Sequence, residues 1–143
     1  MTVLFFDLPA TSAAVDRVCR EVEAALTARR LESERFPVTL LLREGLNNAV
    51  IHGSRAVRPG RMRCRIGFGR TWLQIVIEDD GPGFDWRARL DCRAAIDECH
   101  GRGLQIYQLY SDEVRFNRKG NRVRLRRRIP RGNAHVDDSG SER

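Results

Sequence analysis

A chain of 143 residues fits one domain by size, and one of that length buries roughly 68–70% of its unfolded surface without a disulfide or metal staple. With 41% hydrophobic and 31% charged residues its composition is that of an ordinary globular protein. The net charge of +7 is carried by arginine; the opening MTVLFFDLPA has no basic lead and breaks at Asp7, which argues against a signal peptide, and no apolar run reaches the roughly 18–20 residues of a membrane span.

In chain order, residues 2–8 read as a first strand closed by Pro9. Thr11 or Ser12 can cap a helix, and Val15, Val18, Val22 and Leu26 recur at helical spacing as far as Ala28. The polar stretch RRLESER reads as a loop. Phe36-Pro37 opens a second helix that runs through Leu40, Leu42, Leu46 and Val50 to Gly53-Ser54. Residues 56–60 are a Pro-Gly turn. MRCRIGF and WLQIVIED are two strands joined by a short Gly-Arg-Thr connection, as in an antiparallel hairpin. Residues 82–100 connect onward, partly helical around residues 94–96. A short helix follows over residues 104–109. Residues 114–117 and 122–128 form a last hairpin around Lys119-Gly120-Asn121, and residues 130–143 read as a disordered polar tail. Strands and helices that come in runs indicate an α+β two-layer sandwich, with a mixed sheet covered on one face by helices.

The late arginines, Arg115, Arg118, Arg122, Arg124, Arg126, Arg127, Arg128 and Arg131 with Lys119, raise nucleic-acid binding. In NRVRLRRRI they alternate with Val123, Leu125 and Ile129, which describes a strand with one wet face. Aromatics interleaved with the arginines would favour nucleic acid, and only Phe116 lies among them. Solvation or an acidic protein partner is the better reading. Cys19, Cys64, Cys92 and Cys99 form no C-x-x-C pair; Cys99-His100 near Cys92 falls short of a zinc set, and free thiols point to a reducing cytoplasm.

Three stretches carry the chemistry. EGLNNAVIHG (residues 44–53) places Glu44, Asn48 and His52 four residues apart each time, on one helical face. Glu44 is either a surface acid or a general base, and Asn48 offers a hard oxygen suited to Mg2+. His52 lines the same groove or packs near the helix end, and no catalytic role is assigned to it. EDDGPGF (residues 78–84) ends a hydrophobic strand in Asp79, an acceptor suited to an exocyclic amine such as that of adenine. Gly81 and Gly83 allow a turn and the close approach of a flat ligand. HGRGL (residues 100–104) sets Gly101, Arg102, Gly103 and Leu104 before a helix, where backbone N–H groups bind phosphate. Together they read as a site for a metal-bound nucleotide. No P-loop pattern is present.

In this order, E-x-x-x-N-A-x-x-H-G, D-x-G-x-G-F and G-R-G-L resemble the N box and two glycine boxes of the superfamily uniting gyrase, the heat-shock 90 chaperones, histidine kinases and MutL. The small size and the run RGLQIYQLYSDEVRFNRKGNRVRL are similar to the anti-sigma-factor serine/threonine kinases. The resemblance spans residues 3–129 and implies a Bergerat-type ATP-binding fold with ATP and Mg2+ as cofactors. It implies Glu44 as catalytic base and Asn48 as Mg2+ ligand and cofactor contact. Asp79 becomes the adenine reader, with Gly81 and Gly83 shaping its turn. Gly101, Arg102, Gly103 and Leu104 form the phosphate-side turn, and residues 84–100 a short ATP lid. Its implied partners are an anti-anti-sigma (STAS-type) protein as substrate and a sigma factor, in the cytoplasm, with a homodimer open and neither nucleic acid nor membrane involved. The activity implied is that of an ATP-dependent serine/threonine protein kinase acting as an anti-sigma factor; the alternative is a nucleotide-binding switch module that transfers no phosphate. The chain departs from the family at two places. Gly120-Asn121-Arg122 stands where a G-T-type run often helps hold the adenine side, and Gly45 stands where Ala commonly follows the acid.

Overall fold

The computed structural model describes residues 2–53, 60–83, 85, 87 and 103–130. In chain order these are β1 (Thr2–Pro9), α1 (Ser12–Ala28), a 3-10 turn (Glu32–Glu34), α2 (Arg35–Gly53), β2 (Arg61–Phe68), β3 (Trp72–Asp79), α3 (Gly103–Tyr110), β4 (Glu113–Phe116) and β5 (Arg122–Arg128). Each was anticipated within a residue or two, apart from the 3-10 turn. Thr11 caps α1, its hydroxyl accepting from the Ala14 N–H at 3.2 Å. The expected lid, the expected helix around residues 94–96 and the tail beyond Pro130 fall outside the described residues.

The strands form one sheet in the order β1-β2-β3-β5-β4. Every pairing is antiparallel, so the mixed sheet expected from the sequence is corrected among the described strands. The reason lies in the connection between β1 and β2. It holds two helices joined by a tight turn, and such a helical hairpin returns the chain to the end of the sheet it left. A single crossover helix would have made the pair parallel.

Period-2 alternation decides what each strand buries. Phe6, Met62, Cys64, Ile66, Leu73, Ile75, Ile77, Val123 and Leu125 face the helices. There they meet Val15, Val18, Val22 and Leu26 of α1 and Val38, Leu41, Leu42, Leu46 and Ala49 of α2. This is the two-layer α+β sandwich expected. The opposite face of the sheet is the wet one. Arg63 bridges Glu78 and Asp80 at 3.0 Å each. Arg124 and Arg126 flank Glu113 at 3.3 Å each, and Arg126 and Arg128 lie 4.4 and 4.9 Å from the centroid of the Trp72 ring.

Arg127 has the opposite phase and points inward. Its Nε donates to Glu34 Oε1 at 2.8 Å and its Nη1 to the Tyr110 carbonyl at 2.8 Å. Glu34 is only 3% exposed, so the stretch expected as a solvated loop carries the acid of a buried ion pair. That pair ties the start of α2 to the end of α3. Cys19 and Cys64 are free and buried, and burial pushes both thiols up. Cys92 and Cys99 lie outside the described residues. No described helix is long and apolar enough to cross a membrane.

Candidate functional site

The site is built along α2. Its apolar side, with Leu41, Leu42, Leu46 and Ala49 buried, is set by packing on the sheet, which turns the half-buried Glu44 and Asn48 toward α3. Gly103, the first residue of α3, closes on them. A Cβ at Gly103 would lie 2.7 Å from Glu44 Oε1 and 3.3 Å from Asn48 Nδ2. A side chain at 103 would push the carboxylate and the amide aside, so the glycine lets the start of α3 come this close to both as they stand. Leu104 follows, partly buried against the core. Gly101 and Arg102 lie outside the described residues.

Burial raises the Glu44 carboxyl above its ordinary value. No hydrogen bond or ion pair answers it among the described residues. A carboxylate that is desolvated and unpaired is a better proton acceptor near neutral pH than a free one.

The second part of the site is at the other end of α2. Asp79 closes β3, is 8% exposed, and accepts the Gly81 N–H at 2.7 Å on Oδ1. Burial raises its carboxyl; the Gly81 N–H opposes this and the neighbouring Asp80 adds to it. A Cβ at Gly53 would lie 3.2 Å from the Asp79 Cβ, so the end of α2 rests against this acid. The two loop glycines have structural neighbours. A Cβ at Gly81 would stand 2.3 Å from the His52 carbonyl oxygen, and one at Gly83, whose φ is +79°, 1.9 Å from that of Lys119. Their missing side chains therefore make room for backbone, seating the turn on α2 and on the β4–β5 connection. His52 contributes that carbonyl.

Three residues here went unread in the sequence. Asn121 binds the Asp79 backbone from both sides: its carbonyl accepts the Asp79 N–H at 3.0 Å and its Nδ2 donates to the Asp79 carbonyl at 2.8 Å. So the G-N-R run contacts the Asp79 backbone at the place where the family often has a G-T run. Asn117 steadies it, donating to Asn121 Oδ1 at 2.7 Å and accepting three backbone N–H groups, of Gly120, Asn121 and Arg122, on Oδ1. Tyr107 of α3 is 3% exposed, with its hydroxyl 3.5 Å from Asn48 Nδ2. Burial pushes its phenol well above the usual range, the Asn48 contact opposing and the nearby Glu44 charge reinforcing. Asn117 read only as the end of a strand, Asn121 only as a turn former, and Tyr107 only as one more apolar position of a short helix.

Asn48 and Glu44 stand five and nine residues before Gly53, or about 7.5 and 13.5 Å along the axis at 1.5 Å per residue. One helix thus separates the buried Asp79 carboxylate from a carboxylate and an amide beside a helix N-terminus, by a span on the scale of a nucleotide. No cluster of three His, Cys, Asp or Glu side chains able to hold a metal occurs among the described residues. The donor set fits Mg2+, which takes one or two protein oxygens and fills its shell with water and phosphate.

Comparison with known proteins bears on family and fold. The profile of the histidine kinase-like ATPase domain matches residues 8–127. Among solved structures, the chain is similar to the histidine kinase domain of the blue-light activated histidine kinase of Erythrobacter litoralis EL346. The two are 18% identical with a TM-score of 0.51, a likeness of fold, and the match covers 91% of this chain and 65% of that one. No curated protein matches the sequence. Membership of the matched family implies ATP binding, typically with Mg2+. The chain belongs to the histidine kinase-like ATPase domain family.

Proposed function

We propose that this chain is an ATP-dependent serine/threonine protein kinase with an anti-sigma role. Its substrate is a small anti-anti-sigma protein of the STAS type, and its second partner a sigma factor. The observation that carries the kinase reading is Glu44. It is half-buried, raised by desolvation and unpaired among the described residues, one helical turn before Asn48. A half-buried carboxylate without a partner is unfavourable for folding, and a module that only binds nucleotide has less need of a base.

In this reading Asp79 accepts from the exocyclic amine of adenine, Asn48 holds Mg2+ through its amide oxygen, and residues 101–104 receive the phosphates. The metal supplies charge neutralisation on the phosphate oxygens. Glu44 takes the proton of the partner's serine or threonine hydroxyl. The hydroxyl oxygen bonds to the γ-phosphorus as the bond from that phosphorus to ADP breaks, and ADP leaves with the bonding pair. Positioning and electrostatics supply most of the acceleration in such transfers. The test is incubation with γ-labelled ATP and candidate anti-anti-sigma proteins. Label on a partner serine or threonine supports the reading. A protein that binds Mg2+-ATP but labels no partner supports the switch module.

A further inference from the structure

Tyr107 and Gly45 meet at one point. Gly45 follows Glu44 on α2, and Tyr107 rises from α3 beneath Asn48. A Cβ at Gly45 would lie 2.4 Å from Ile77 Cδ1 and 3.3 Å from the Tyr107 hydroxyl oxygen. The absent side chain at 45 thus makes room first for the Ile77 methyl and, beside it, for this hydroxyl. A buried phenol oxygen is unfavourable unless it is hydrogen-bonded, and the partner here is Asn48 Nδ2 at 3.5 Å. A carboxamide has one donor end and one acceptor end. With the nitrogen engaged by Tyr107, the amide oxygen is left without a hydrogen-bond partner among the described residues.

We propose that Tyr107 is a positioning residue for Asn48: its hydroxyl engages the amide nitrogen so that the amide oxygen faces a nucleotide-bound Mg2+, in the space that Gly45 leaves. This rests on the reading of Asn48 as the metal's ligand. Tyr107 itself touches neither metal nor nucleotide. Its ring belongs to the core, 6.4 Å from the Phe116 ring centroid to centroid, so removal of the hydroxyl alone leaves the packing in place.

The experiment is titration calorimetry of ATP on the whole chain, with Mg2+ and with EDTA, for wild type, Tyr107→Phe, Asn48→Ala and the double variant. Tyr107→Phe should weaken Mg2+-ATP binding about tenfold, the scale of one lost orienting bond, and leave EDTA-ATP binding nearly unchanged. In the Asn48→Ala background the same change should have no further effect on the Mg2+ dependence. Equal losses with and without Mg2+, no loss in either, or a full effect that persists without Asn48 overturns the proposal. If Tyr107→Phe lowers the melting temperature, the comparison between Asn48 backgrounds still decides, because a packing defect persists in both. A wild type whose ATP affinity ignores Mg2+ overturns the metal-ligand reading of Asn48 itself, which is a different result from a wild-type-like Tyr107→Phe.

Discussion

Glu44→Gln tests the catalytic reading with three observables on one variant. Gln keeps the length and helix propensity of Glu but cannot accept the proton. Loss of a general base lowers the transfer rate by about 10²–10⁴, or about 2.7–5.4 kcal/mol of barrier at about 1.36 kcal/mol per decade. The structure adds the stability arm. The Glu44 carboxyl is raised by burial, so the folded chain binds this proton more tightly than the unfolded chain does. Ionisation of Glu44 therefore destabilises the fold. The penalty is complete above the folded pKa and absent below the unfolded value of about 4.3. Glu44→Gln should thus melt no lower than wild type at neutral pH, and any gain should vanish on acidification through the carboxylate range. ATP affinity should be preserved, since Gln removes a negative charge from beside the phosphates. Single-turnover transfer, calorimetry and melting curves across pH read the three arms. Wild-type transfer by the variant refutes the assigned base, and a melting temperature lowered at neutral pH refutes the account of Glu44 as unpaired.

Asp79→Asn should weaken ATP binding by about tenfold or more, because it loses an acceptor in a charge-assisted bond worth about 1.5–3 kcal/mol. Because burial raises the Asp79 carboxyl, wild-type affinity measured by calorimetry should decline on acidification sooner than an ordinary Asp would allow, and Asp79→Asn should flatten that dependence. Arg127→Met strands Glu34 in the core and should lower stability in urea by about 3–5 kcal/mol, with Glu34→Gln on top recovering part of the loss. Asn121→Ala removes the bond to the Asp79 carbonyl, so urea titration should show a loss of about 1 kcal/mol, and calorimetry a weaker ATP affinity.

Periodicity made most of the fold legible. Val15, Val18, Val22 and Leu26 mark the buried side of α1 at helical spacing. The alternation in WLQIVIED buries Leu73, Ile75, Ile77 and Asp79 on one face of β3. The same reasoning placed Glu44 and Asn48 on one face, and the structure brings Gly103 against both. The direction of β1 against β2 was less accessible than that of the two hairpins, since it depends on how α1 and α2 pack and not on any residue of the strands. The inward turn of Arg127 was hidden because its partner Glu34 sits 93 positions away in a polar run that reads as solvated. Asn117 read as the end of a strand and Asn121 as a turn former, because short polar side chains that cap their own loop are ordinary. That Asn121 also reaches Asp79 depends on the pairing of β3 with β5, which brings residues 42 apart together.

The two ends of the site are fixed by the same device. At Gly45 and Gly53, α2 gives up a side chain where it meets β3, against Ile77 at one end and Asp79 at the other. A glycine in a helix interior loses about 1 kcal/mol relative to alanine, so local propensity alone would remove Gly45, whereas Gly53 is the last residue of α2, where glycine is common. Substitution acts differently at the two places. At Gly45 the obstructing atoms are a terminal methyl and the Tyr107 hydroxyl, which can shift and carry Asn48 with them. At Gly53 the nearest atom is the Asp79 Cβ itself, anchored by the backbone bonds to Asn121. Contact at Gly53 therefore bears on where Asp79 stands, and contact at Gly45 on the packing of Ile77 and Tyr107. Because both lie on one rigid helix, the distance between the two ends is fixed by the helical rise and not by any loop.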